Sequence, residues 1–145
     1  MKIIYAVNQQ SGPQISLKTW NNIVNKIEKN LKFAFQPEIS IALVGKAAIR
    51  NLNRIYRKKD KVTDVLSFSK DKNTPNYWPK NFLGEIIICY PQAKAQAQKA
   101  KTTVIREIEL LLIHGFLHLA GYDHGKAKDA EKMEFLEQKI IKTKI

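Results

Sequence analysis

A chain of 145 residues, 44% of them hydrophobic and 26% charged, can build one continuous core but is short for two, so a single domain over 1–145 is expected and wholesale disorder is excluded. Lysine and arginine number 25 against 13 acidic residues, a net charge of +12 that favours a polyanionic partner, RNA or DNA first and an anionic membrane surface second. A lysine-rich composition spread through a proteome would give the same charge without any partner, so charge alone assigns none.

The run Ile3 to Val7 reads as a buried strand, apolar on both faces. Leu17, Trp20, Ile23, Val24, Ile27 and Leu31 recur at three- and four-residue intervals and predict a helix with one apolar stripe. Ile39 to Val44 alternates as a strand and ends at Gly45. A second helix follows, with Ile49, Leu52, Ile55 and Tyr56 as its inner face and Lys46, Arg50, Arg54 and Arg57 forming a basic ridge along one flank. Asp64 to Phe68 and Leu83 to Tyr90 read as strands joined by a polar loop, 71–81, which carries Pro75, Pro79 and the exposed-looking pair Tyr77 and Trp78. The lone cysteine, Cys89, ends the apolar run Ile86–Ile87–Ile88, which suits a small buried hydrophobe. With no second cysteine for a disulfide, it fits a reducing cytoplasm. Pro91 suits the first turn of a short surface helix to Lys101, a long helix runs from Thr103 to Ala120 with Gly121 as its C-terminal cap, and a last helix from Lys126 buries Ala130, Met133, Leu136 and Ile140. No apolar run approaches membrane-spanning length and the start does not read as a signal peptide, so a soluble cytoplasmic protein is expected. The element order β-α-β-α-β-β-α-α-α predicts an α+β fold, one mixed sheet of about four strands covered by about five helices.

All three histidines fall in the window His114-Gly-Phe-Leu-His118-Leu-Ala-Gly121-Tyr-Asp-His124. A four-residue step is about one helical turn, so His114 and His118 project from the same face at the end of the long central helix. A left-handed Gly121 then lets His124 swing back over that face. Three imidazoles converging on one point leave a fourth position open, the pattern of a catalytic zinc site, and zinc would bring bound water close to ionisation at neutral pH. Metzincin peptidases share the spacing but require a glutamate directly after the first histidine as general base. Here that position is Gly115, which disfavours peptide hydrolysis. Asp123 reads as a turn residue or as a carboxylate orienting a ligand histidine, the turn being slightly favoured by its Gly–Tyr–Asp setting.

The motif HGFLHLAGYDH resembles the signature of the YbeY family of bacterial rRNA-maturation endoribonucleases, and the stretch from Asn51 to Phe68 and the run Leu83 to Cys89 are similar to two further motifs of that family. The resemblance spans most of the chain. It implies an α+β fold and metal-dependent, single-strand-specific RNA cleavage in rRNA maturation and ribosome quality control. His114, His118 and His124 would be the ligands of one Zn2+ per chain, or of another divalent transition metal. Arg57 would be the functional arginine beside the site. Val62 and Ser69 stand where the family usually has proline, departures that flank a strand. On its own chemistry, Arg57 is either a solvated surface arginine or a fork that clamps a phosphate and neutralises developing charge. The expected partners are therefore RNA, in particular rRNA precursors and the ribosome, with no membrane and no DNA specificity. Two other functions fit the residues: an RNA-binding ribosome-assembly factor with a structural metal, and a divergent metallopeptidase without its glutamate base.

Overall fold

In a computed structural model, which describes residues 2–70, 78–122 and 125–145, the elements run β1 (Ile4–Gln9), α1 (Leu17–Asn30), β2 (Glu38–Val44), α2 (Lys46–Arg57), β3 (Val65–Ser69), β4 (Phe82–Cys89), α3 (Tyr90–Ala100), α4 (Val104–Leu119) and α5 (Ala127–Ile141). This is the expected order, and the fold is the expected α+β arrangement of one mixed four-stranded sheet with helices on both faces. The strands lie in the order β1-β2-β4-β3. β1, β2 and β4 are parallel, and β3 runs antiparallel to β4 at one edge.

β4 shows why its sequence reads as an unbroken apolar run. Ile86 and Ile88 point into the larger core, with Ile39, Ile41 and Leu43 of β2 beneath α1, α4 and α5. Ile87 and Cys89 point the other way, into a smaller core closed by Ile49 of α2 and Leu66 of β3. A central strand covered on both faces loses the polar-apolar alternation of a half-solvated one. Burial raises the pKa of the Cys89 thiol above its ordinary value, as suits a packing residue.

Four local readings change in three dimensions. β1 is an edge strand rather than one buried on both faces, and Ile4 is 46% exposed. Leu17 opens α1 and points to solvent, so the buried stripe begins at Trp20. On α2 the inward residues are Ile49 and Asn53, whereas Ile55 and Tyr56 are exposed. The last turn of α2 meets edge strand β3, where the Tyr56 ring packs against Phe68. Trp78 is half-buried, its ring set edge-on against Phe82 at 4.9 Å; its predicted companion Tyr77 lies outside the described residues.

The two ends of α4 are closed by its own sequence. Thr103 accepts the Arg106 N–H at 3.1 Å as N-cap. At the other end Gly121 takes a φ of +99°, its N–H reaches His118 O, and the Tyr122 N–H reaches Leu117 O, both at 3.0 Å. This paired closure needs a left-handed residue, which glycine adopts without steric penalty.

Candidate metal centre and substrate cleft

α4 crosses the sheet at Gly115. A Cβ built there would stand 2.8 Å from Ile86 Cγ2 and 3.0 Å from Ser67 Oγ, so the backbone approaches β4 and β3 more closely than any side chain permits. With Gly115 against the sheet, His114 and His118 are turned toward the open side of β3. Their Nε2 atoms are 3.1 Å apart and their rings stand at 76° to one another. Two ligands of a tetrahedral zinc at ordinary zinc–nitrogen distances are separated by about 3.3 Å, so the pair has the bite such an ion requires. The third expected ligand, His124, and its neighbour Asp123 lie outside the described residues.

The other nitrogen of His114 is spoken for. Its Nδ1 lies 2.5 Å from Oε1 of Glu137 on α5, with both side chains half-buried. An ionised carboxylate only accepts, so this contact keeps the imidazole proton on Nδ1 and directs the Nε2 lone pair toward His118. Histidines that bind metals are oriented by such partners. Sequence reading did not single out Glu137. The available signal was its place on the inward stripe of α5, four residues after Met133 and three before Ile140, where an unpaired carboxylate would be costly.

Both imidazoles open into a cavity of about 620 Å³ whose opposite wall is built from β3 and the end of α2. Arg57 stands on that wall. Its Nη2 donates to Ser67 O at 2.6 Å, and its Cζ lies over the Phe68 ring, 5.3 Å from the centroid. The geometry thus brings Arg57, His114 and His118 around one cleft, although 57 residues separate the arginine from the first histidine.

Residues 5–144 match the model of the family described as Endoribonuclease YbeY. Among curated relatives of that description, one from Persephonella marina is 41% identical over 93% of this chain and 88% of its own length. Another, from Staphylococcus carnosus, is 41% identical over 83% of this chain and 80% of its own. The chain belongs to the YbeY family. A Thermotoga maritima structural-genomics target solved in solution shares the architecture, with a TM-score of 0.62 and 28% identity over 94% of this chain and 87% of that one.

The charge of the cleft is distributed differently from the ridge that the α2 sequence suggests. Arg50 donates to both oxygens of Asp60, at 2.8 and 3.3 Å, and this hydrogen-bonded pairing holds the Asp60 carboxyl below its ordinary pKa. Arg54 donates to Asn51 Oδ1 at 2.6 Å. The lysines lining the cleft are Lys59 and Lys61 of the loop after α2. Asn53 holds that loop in place: it is 3% exposed, its Nδ2 donates to Lys61 O at 3.0 Å, and its backbone carbonyl accepts the Lys59 N–H at 3.2 Å. One carboxylate, Asp64, joins the cleft wall and accepts from Gln96 Nε2 at 3.2 Å. Val62 packs against the smaller core and Ser69 lines the cleft.

Proposed function

We propose that the 145-residue chain acts as one zinc-dependent domain that cuts single-stranded RNA, in rRNA maturation and ribosome quality control in the cytoplasm. The observation that carries this reading is the convergence of two imidazole Nε2 atoms, 3.1 Å apart, with Arg57, Lys59 and Lys61 around one cleft. His114, His118 and His124 would hold the ion. When bound, zinc supplies Lewis acidity toward a phosphoryl oxygen and lowers the pKa of water. The chain's own residues do the rest. Glu137 fixes the His114 ring and its tautomer. Arg57 is steadied by Ser67 O and the Phe68 ring, and it presents a planar fork to a phosphate and to the charge that grows on it during cleavage. Lys59 and Lys61, pinned by Asn53, attract the backbone on either side. The crossing at Gly115 weighs against peptide hydrolysis, since a glutamate base in that position would be driven into the sheet.

Arg57 provides the test. With saturating zinc-loaded protein and a labelled single-stranded oligoribonucleotide, Arg57→Ala should retain metal and most RNA affinity. Its single-turnover rate should fall by about 10²–10³-fold, the usual effect of removing one charge-stabilising donor. Lysine at the position should restore only part of the rate. A His114→Ala preparation purified in parallel controls for contaminating nuclease. If that control cuts RNA as fast as the parent, the activity belongs to a contaminant, and the reading as an RNA-binding assembly factor takes the lead.

A further inference from the structure

We infer that Tyr56 is a stacking platform for an unpaired base next to the phosphate held at Arg57, and that this ring contributes to the preference for single strands. The inference rests on the ribonuclease reading above. Tyr56 is 64% exposed. Its orientation is nevertheless defined: the ring meets Phe68 at 5.3 Å between centroids and 61° between planes. Arg57 sits over that same Phe68 ring, also 5.3 Å from its centroid, while lining the cleft. One aromatic residue of edge strand β3 thus supports both an outward-facing tyrosine and the inward-reaching arginine. Arg57, Lys59 and Lys61 make the adjoining cleft cationic, so the exposed aromatic surface suits a polyanion better than an apolar protein surface.

The geometry explains discrimination as well as affinity. A base within a duplex is already stacked on both faces and paired along its edge, and it reaches a protein ring only after being pulled out of the helix. A base in a single strand can lie on the ring directly. Stacking is tolerant of sequence because every base has a π-face, so the platform adds affinity without dictating which base is cut beside.

The experiment measures single-turnover cleavage against protein concentration, with zinc-loaded parent, Tyr56→Ala, Tyr56→Leu and Tyr56→Phe. The substrates are one labelled single-stranded oligoribonucleotide, the same strand annealed to its complement, and single strands carrying one abasic nucleotide at successive positions around the cut. Tyr56→Ala and Tyr56→Leu should raise the half-saturating concentration on the intact single strand by roughly 5- to 100-fold, as stacking on one base predicts, and leave the maximal rate in place. Tyr56→Phe should match the parent. One abasic position should reproduce the loss in the parent and add nothing in Tyr56→Ala. The leucine variant keeps apolar cover over Phe68, so its loss is not a packing effect, and unchanged melting of both variants checks the fold. Parent-like half-saturation in Tyr56→Ala, equal losses on single and double strands, or full rescue by leucine would each overturn the platform. A parent protein that neither binds nor cuts the intact strand would overturn the ribonuclease reading and the platform with it.

Discussion

Gly115 offers the sharpest test of how the site is built, because one missing methyl group sets both helix placement and chemistry. A Cβ there would sit 2.8 Å from Ile86 Cγ2, about 0.7 Å inside a comfortable carbon–carbon contact. Ile86 is itself fully buried on the central strand β4 and has no room to retreat. Overpacking of this kind typically costs about 1–3 kcal/mol, while alanine recovers about 1 kcal/mol of helix propensity. Gly115→Ala should therefore lose at most about 2 kcal/mol. Gly115→Glu adds a carboxylate that must be buried without a counter-charge, so its loss should reach about 3–5 kcal/mol or more. For a domain of this size that lowers the melting temperature by roughly 10 °C or more. Paired thermal and guanidinium melts of the zinc-loaded proteins measure the series. Gly45→Ser is the control, since a side chain at that open N-cap of α2 meets nothing within 4 Å. The glutamate variant should also fail to hydrolyse casein, although it recreates the His-Glu-x-x-His pattern. If Gly115→Glu melts within two or so degrees of the parent, or gains peptidase activity, the close crossing of α4 over the sheet is wrong.

Replacing His114, His118 or His124 singly by alanine leaves two protein ligands, so each variant should purify with little zinc by elemental analysis yet melt cooperatively; about one zinc per chain in all three would refute the ligand set. Glu137→Gln keeps shape but removes the charge from the 2.5 Å contact to His114, and should weaken zinc binding by about 10–100-fold in a chelator competition, whereas unchanged affinity would make Glu137 a packing residue. Neutralising Lys59 and Lys61 to glutamine should flatten the log–log salt dependence of single-stranded RNA binding by roughly 0.7 per lost contact. Arg50→Gln, which removes a charge already paired with Asp60, should change that slope less, and the reverse ranking would move the RNA onto the outer flank of α2.

Element order is legible in the sequence because hydrophobic periodicity, caps and glycine stops act over a few residues. Trp20, Ile23, Val24 and Ile27 mark α1 whatever surrounds it, and Gly121 ends α4 by its own conformational freedom. The histidine pair was legible for the same reason: a four-residue step on a helix places two rings side by side regardless of fold. Periodicity also misleads where packing overrides it. Tyr56 falls seven residues after buried Ile49 and reads as core, yet its ring lies exposed against Phe68 of edge strand β3. Likewise an apolar β1 cannot reveal that it lies at an edge, since strand neighbours are chosen by crossovers between distant segments. Glu137 meets His114 across 23 residues, and Arg57 joins the cleft only because β3 folds back on β4 and offers Ser67 O to its guanidinium. Such contacts depend on which faces pack together, a choice made by burial of the whole apolar surface and not by any short stretch of chain.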